Sequence, residues 1–189
     1  MKQDGIQVPI PLLNALRDYK ANHDPLAALA NTVALVIAGN QPFYPLYLHA
    51  IVGNSAWPAW ITLITMPIFA IVPALSRRHS LMGRALLPTI GTLNGILAVK
   101  LIGTDTGVEL FLLPCVLLAA LLFRPGERHV MLAVLTLPFG AYFLLDPAVS
   151  PPLATYSAAE YRSIISMHGF SVACLFALIG YSFPSGKAG

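Results

Sequence analysis

Six stretches of apolar residues, separated by short polar segments, dominate the pattern of the chain. They cover approximately residues 26–52, 56–75, 83–103, 108–123, 129–145 and 163–183. Most are close to the ~20 residues that a helix needs to cross a hydrocarbon core ~30 Å thick. The pattern therefore predicts an all-α integral membrane bundle of six transmembrane helices.

The first stretch carries a predicted break near its middle. Gly39, Asn40, Gln41 and Pro42 follow one another there, and proline removes a backbone donor from the helix ladder. We expect a kink at Pro42, followed by an aromatic half-helix that includes Tyr47.

The polar residues at the two ends of the chain define the remaining segments. In residues 1–24, Ile10, Leu13 and Leu16 recur at helical spacing, while the charged residues within 17–20 take another face. This pattern fits a short helix in the headgroup layer or a solvated tail. The predicted organisation is a cytoplasmic tail or interfacial helix at 1–24, a transmembrane domain at 25–183 and a cytoplasmic tail at 184–189.

Composition and charge agree with a membrane protein. The chain is 57% hydrophobic and 10% charged, with a mean hydropathy of +0.72, whereas charged residues make up about 25% of soluble domains. The net charge of +3 comes from basic residues in the short loops, which indicates topology rather than a nucleic-acid partner.

The loop charges also predict the orientation in the membrane. With a cytoplasmic N-terminus, nine basic residues lie inside and only Lys100 and Arg162 lie outside, as the positive-inside rule requires. We therefore expect a multi-pass protein of the bacterial inner membrane with both termini cytoplasmic. The nine are Lys2, Arg17, Lys20, Arg77, Arg78, Arg84, Arg124, Arg128 and Lys187.

The sequence has no motif of a soluble enzyme. It lacks a dinucleotide-binding glycine pattern, a P-loop, an HExxH zinc motif and a CxxC pair, and Cys115 and Cys174 have no metal-ligand spacing. We predict that the chain is not an enzyme and that it holds no metal.

Ionisable residues within apolar segments are costly and often functional. The candidate residues for ligand or cofactor binding all fall in the predicted outer half: Tyr47, His49, Lys100, Glu109 and His168. One interpretation is that Lys100 reaches the outer headgroups and pairs with Glu109 across the turn. The other is that Glu109 faces a cavity that it shares with the histidines.

His49 and His168 also allow a cofactor hypothesis. On the predicted topology the two residues lie within one helical turn of the same depth. Two histidines on two helices could ligate a b-type haem, although an interfacial histidine bonded to a carbonyl or a tyrosine is the commoner arrangement. The cofactor stays unknown at this point. Asn31, Asn40 and Asn94 are expected to serve polar packing between helices.

Several stretches resemble the six-span membrane-associated sensor or anchor domains that precede bacterial nucleotide cyclases, diguanylate cyclases and sensor histidine kinases. They are Asp24-Pro25 with Asn31, NQPFYPLYLHAIVG (40–53), GRALLPTIGTLNG (83–95) and GVELFLLPCVLLAALLF (107–123). The resemblance implies cytoplasmic termini and an output domain after the last span. Here only PSGKAG follows residue 183, so we expect a module without an output domain.

Two functions follow from these observations. The first is a membrane sensor or anchor module that binds a partner protein, or a second copy of itself, and a small or lipophilic ligand in the outer half of the bundle. The second is an accessory subunit of a respiratory or photosynthetic membrane complex, in contact with haem, quinone or pigment. The resemblance favours the first, and the expected lack of an output domain favours the second.

Overall fold

The structure, a computed structural model, describes residues 10–145 and 151–183. Every regular element in these two ranges is helical, and neither range contains a strand. The all-α prediction is therefore confirmed for this part of the chain. The predicted tail at 184–189, the first nine residues and residues 146–150 of the loop before the last helix lie outside it.

In the described ranges, segments of 3₁₀ helix connect the α-helices. They are α1 (Ile10–Lys20), α2 (Pro25–Asn40), α3 (Tyr44–Val52), α4 (Met66–Arg78), α5 (Ser80–Ile102), α6 (Leu112–Leu121), α7 (Arg128–Leu144) and α8 (Ala158–Ser182). Segments of 3₁₀ helix span Gln41–Phe43, Gly53–Thr65, Thr104–Thr106, Val108–Phe111 and Pro125–Glu127.

The first long helical run bends and then folds back on itself. The predicted kink is present as the 3₁₀ turn Gln41–Phe43 between α2 and α3, where Pro42 cannot donate to the helix ladder. The reversal follows at Gly53, whose φ of 59° suits a residue without a Cβ. As a result α2 packs against α4, and α3 packs against the 3₁₀ segment Gly53–Thr65.

Helix α5 lies at the centre of the bundle, against α2, α4, α6 and α7. It remains α-helical through Pro88. Its approach to α4 is very close, because a Cβ placed on Gly83 would lie 2.8 Å from Cα of Ser76. Only glycine permits this contact, and it fixes the register of the two helices.

A tight turn after α5 joins the predicted apolar stretches 83–103 and 108–123. It consists of the 3₁₀ turns Thr104–Thr106 and Val108–Phe111, with Gly107 between them in the left-handed conformation. After α6 the chain changes direction sharply, since Val108–Leu121 and Pro125–Phe143 meet at 116°. The chain after residue 121 therefore does not continue the line of α6.

The last helix begins earlier than the sequence indicated. We predicted a start near Ser163, after a loop of about fifteen residues, but α8 starts at Ala158. The reason is a capping box, in which Ser157 N–H donates to Glu160 Oε2 at 2.7 Å and Glu160 N–H donates to Ser157 Oγ at 3.4 Å. Glu160 thus belongs to the first turn of the helix and not to the loop.

Length and composition identify fewer spans than the sequence pattern does. Among the described residues, three helical runs are long and apolar enough to cross a membrane: Pro25–Arg78, Ser80–Ile102 and Ala158–Ser182. The bent pair Val108–Leu121 and Pro125–Phe143 raises the number to four if it is one span. The chain therefore has three to four candidate spanning helices by this criterion.

The apolar interior consists of two clusters, one near each end of the bundle. Leu29, Phe69 and Leu122 belong to the first, and Leu48 and Ile164 belong to the second. We call the end beyond the first cluster the charged end (residues 20–24, 76–84 and 122–128). The end at the second cluster is the histidine end (residues 44–52, 100–111 and 156–168).

Candidate functional site

Arg84 is the centre of the charged end, and its side chain is only 2% exposed. Its guanidinium donates two parallel hydrogen bonds to the carboxylate of Glu127, both of 2.7 Å. Nη1 also donates to the carbonyl of Leu122 at 2.6 Å, one of the carbonyls that a helix leaves unpaired at its C-terminus. Arg84 therefore links α5 to the connection between α6 and α7.

Asp24 completes this network from the start of α2. Its Oδ2 lies 3.4 Å from Nε of Arg84 and accepts a short hydrogen bond from the hydroxyl of Ser80. Its Oδ1 lies 3.2 Å from Nη2 of Arg124 and accepts the backbone N–H of Leu26 at 3.0 Å, which caps the helix. Burial alone would raise the pKa of Asp24. The bonds from Ser80 and Leu26, with the two arginines, outweigh burial and hold that pKa below its ordinary value.

The middle of the bundle holds a second polar group, at the break in the first helical run. Gln41 Nε2 donates to the hydroxyl of Thr65 at 2.6 Å and to the carbonyl of Thr62 at 3.1 Å. The Thr65 hydroxyl lies 2.9 Å from Oδ1 of Asn94. This network ties the 3₁₀ break to the two helices beside it. Irregular backbone within a bundle is tolerated where side chains bond its polar groups, as Gln41 does for the carbonyl of Thr62.

At the histidine end, a fully buried His168 joins three segments. Its Nε2 lies 3.2 Å from the hydroxyl of Tyr44 on α3, and its Nδ1 lies 2.8 Å from the carbonyl of Thr106 in the turn after α5. The imidazole stacks on the Tyr44 ring and meets the edge of Phe111, with ring centroids 5.8 and 5.6 Å apart. Both ring nitrogens are thus occupied, and α8 is held to the turn and to α3.

Beside His168, a groove opens between the turn after α5 and the first turns of α8. Its volume is about 550 Å³, and it is lined by Thr104, Asp105, Gly107, Glu109, Leu110, Ala158, Tyr161 and Ile165. Oε2 of Glu109 is buried and has no hydrogen-bond partner among the described residues. The groove is open to the outside rather than enclosed, and it combines carboxylates, a tyrosine and apolar side chains.

The structure does not bring all the predicted site residues together. His49 and Tyr47 are exposed on α3, whereas His168 is buried, so the two histidines do not face each other as ligands of one haem would. Lys100 and Glu109 are both half-buried, and the described ion pairs do not include one between them. Of the candidates, His168 is at the junction of three segments and Glu109 lines the groove.

The three predicted packing asparagines also differ. Asn31 is fully buried and donates from Nδ2 to the carbonyl of Lys20 at 3.0 Å. Asn94 takes part in the network of Gln41 and Thr65. Asn40, the last residue of α2, is exposed, and the neighbouring Gln41 makes the interhelical bonds instead.

The residues of the Arg84 network were not predicted as a set. From the sequence we interpreted Arg84 and Arg124 only as topological charges, and we did not consider Asp24 and Glu127 as their partners. The available signal was the position of Arg84 within an apolar stretch, since an arginine there needs carboxylates nearby. In the described residues, no group of three or more His, Cys, Asp or Glu side chains could hold a metal ion.

Comparison with known proteins gives one result. No curated protein and no solved structure gives a significant match to the chain. Residues 17–183 match the MASE7 family, a family of membrane-associated sensor domains. The match covers α2 to α8 and the last four residues of α1, and it includes both the Arg84 network and the groove. Since it extends over most of the 189 residues, the chain belongs to the MASE7 family of membrane-associated sensor domains.

Proposed function

We propose that this chain is a sensor module of the bacterial inner membrane, which takes up a small or lipophilic ligand at the histidine end and passes a helix movement to a partner protein. The family assignment favours a sensor over an accessory subunit of a respiratory or photosynthetic complex. The observation on which the proposal rests is the position of His168, which joins α8 to the segments around the groove.

The proposed topology has six crossings with both termini cytoplasmic. The run Pro25–Arg78 folds back at Gly53, and the bend of 116° separates two further arms, so the described residues contain six helical arms, and we assign one crossing to each. The distribution of basic residues supports a cytoplasmic charged end and an outer histidine end.

The groove is the proposed ligand site because its walls come from two parts of the bundle. Asp105 and Glu109 belong to the turns after α5, while Tyr161 and Ile165 belong to α8. A ligand that fills the groove would favour one distance between these walls. A ligand shifts an equilibrium between two conformations only if it binds one of them more tightly. We therefore expect the ligand to change the position of α8 relative to the turns after α5.

Helix α8 also offers the surface for the partner. It is poorly covered by the rest of the chain, and Phe170 and Tyr181 are 73% and 92% exposed. A second copy of the chain or another membrane protein could pack there, and a movement of α8 would then reach it directly. The proposed partners are therefore membrane lipid and one such protein, with no nucleic acid.

The proposal can be tested by placing the chain before the catalytic domain of a bacterial adenylate cyclase, in cells that lack their own cyclase. We expect His168→Gln to change cyclic AMP production severalfold at equal membrane expression, because it weakens the junction between α8 and the turn. His49→Gln is the matched control, since His49 is exposed on α3. Equal cyclase activity in all three proteins would contradict a sensor role.

A further inference from the structure

Four exposed basic residues lie near the junction of α1 and the end of α4. They are Arg17, Lys20, Arg77 and Arg78, and we refer to them as the basic seam. They differ from Arg84 and Arg124 at the same end, whose charges are matched by Asp24 and Glu127.

Helix α1 is fixed against the bundle at this seam. The hydroxyl of Tyr19 donates to the carbonyl of Ala70 at 2.8 Å. Nη2 of Arg77 donates to the carbonyl of Asp18 at 2.6 Å, and the Arg77 guanidinium lies 5.2 Å from the centre of the Tyr19 ring. These contacts hold the last turn of α1 beside α4, so the two segments that carry the seam keep a fixed position relative to each other.

Two asparagines strengthen the attachment just after α1. Asn22 Nδ2 donates to the carbonyl of Ser76 at 3.2 Å, and Asn31 Nδ2 donates to the carbonyl of Lys20 at 3.0 Å. The end of α1 is therefore bonded to α2 as well as to α4. It has a defined depth relative to the bundle.

The bond from Tyr19 indicates that depth. Ala70 lies eight residues before Arg78, the last residue of α4, which corresponds to roughly 12 Å along the helix axis at 1.5 Å per residue. Because the Tyr19 hydroxyl bonds to the carbonyl of Ala70, α1 lies beside the last turns of α4. In the proposed topology the apolar part of α4 lies in the bilayer, and α1 then lies at the level of the lipid headgroups.

The faces of α1 agree with a position in the headgroup layer. At 100° per residue, Leu16 lies between Tyr19, which faces the bundle, and the polar side that bears Arg17. Leu13 and Leu16 are 52% and 46% exposed, and Lys20 lies between them around the helix axis. Exposed leucines beside a lysine that can extend to the headgroups suit a helix in the interfacial layer.

The charge of the seam indicates the lipid class. In the described parts of α1 and α4, Asp18 is the acidic residue that accompanies these four cations. Each lysine or arginine near an anionic membrane surface strengthens the association about fivefold. We propose that the basic seam binds the phosphate headgroups of anionic phospholipids of the phosphatidylglycerol type, which thereby hold α1 on the membrane. The proposal requires membrane insertion but not a sensor function.

Tryptophan fluorescence can report on the lipids at the seam. Trp57 and Trp60 lie in the segment Gly53–Thr65, at the far end of the helices from the seam. A parent protein with Trp57→Phe, Trp60→Phe and Leu13→Trp therefore has its tryptophan at α1. It would be reconstituted in vesicles of brominated phosphatidylglycerol mixed with phosphatidylcholine, and in the reverse mixture, so that quenching gives the relative association constant of the two lipids.

The seam variant is Lys20→Gln with Arg78→Gln. Neither side chain makes a hydrogen bond or ion pair within the described part of the chain, so the fold should be retained, and circular dichroism and gel filtration check this. The matched control is Lys100→Gln with Arg162→Gln, which removes the same charge from the histidine end.

We expect the parent to bind phosphatidylglycerol more tightly than phosphatidylcholine. In the seam variant, the ratio of the two association constants should fall about fivefold for each cation removed, to a lower limit of one. The control pair should leave the preference unchanged. Added salt that shortens the Debye length from about 30 to about 3 Å should weaken it. Equal quenching by both lipids in the parent, as expected if the seam serves an acidic protein instead, would overturn the proposal. An equal loss in the control pair would also overturn it.

Discussion

Different kinds of interaction hold the helices together at the two ends of the bundle. At the charged end, Arg84 is 2% exposed and has partners for its charge and for most of its donors. At the histidine end, His168 makes two hydrogen bonds with neutral groups, and Oε2 of Glu109 in the wall of the groove has no partner among the described residues. The first arrangement has one low-energy geometry. The second leaves a carboxylate oxygen without a hydrogen-bond partner in the wall of a groove. This end is therefore the more suitable one for a response to a ligand.

This comparison predicts that the largest loss of stability follows a change at Arg84. Arg84→Gln leaves Asp24 and Glu127 without their shared cation, and removing one partner of a buried ion pair costs about 3 to 5 kcal/mol. The free energy of unfolding in detergent micelles measures this. Arg128→Gln, which removes an exposed arginine nearby, is the control and should change the stability by less than about 0.5 kcal/mol. Equal effects of the two substitutions would show that Arg84 does not hold this end together.

A smaller loss is expected at His168. His168→Phe keeps an aromatic ring between Tyr44 and Phe111 but leaves the Thr106 carbonyl without a donor, and an unpaired buried polar group costs about 1 to 3 kcal/mol. The same unfolding assay applies, with His49→Phe as the control on the exposed side of α3. If the two histidine substitutions have equal effects, His168 does not join the three segments as described.

The charged end should also make the stability depend on pH. The pKa of Asp24 is lower in the folded protein than its ordinary value of 3.8. A carboxylate with a lowered pKa stabilises the fold above its unfolded pKa, and this stabilisation is lost as the pH falls through 3.8 and below. Unfolding measured from neutral to acidic pH should therefore show a decline in that window. Asp24→Asn should start from a lower stability at neutral pH and decline less steeply, and parallel pH curves would contradict this role of Asp24.

The smallest effect is expected at Glu109. Because the described ion pairs do not include Glu109 and Oε2 is buried without a partner, Glu109→Gln should leave the stability within about 0.5 kcal/mol of the parent or raise it slightly. Lys100→Gln should be equally mild. A large loss in either variant would indicate that the two residues form the ion pair that the sequence suggested.

The fold was more predictable from the sequence than the site. Apolar stretches of span length indicate a helical membrane protein without further information, and Pro42 marks a break because it lacks an N–H. The start of α8 was misplaced because a polar segment with Glu160 resembles a loop until the capping box is recognised. Span number is harder, since the continuous run Pro25–Arg78 counts as one helix by length although it folds back.

The site depended on contacts between distant segments, which no local pattern contains. Arg84, Asp24 and Glu127 are far apart in the sequence, and only the packing of α2 against α5 and of α5 against α7 brings them together. The depth argument did place His49 and His168 at one end of the bundle. It could not tell that His168 faces inward to Tyr44 and Thr106 while His49 faces outward.

The difference between the two ends can be measured most directly by hydrogen exchange of the protein in lipid nanodiscs. We compare amides of the first turns of α5, at residues 80–90, with those of the first turns of α8, at residues 158–168. We expect slower exchange at 80–90, and we expect His168→Phe to accelerate exchange at 158–168 and to leave 80–90 unchanged. Equal exchange in the two segments, or acceleration of both by His168→Phe, would contradict a fixed charged end and a responsive histidine end.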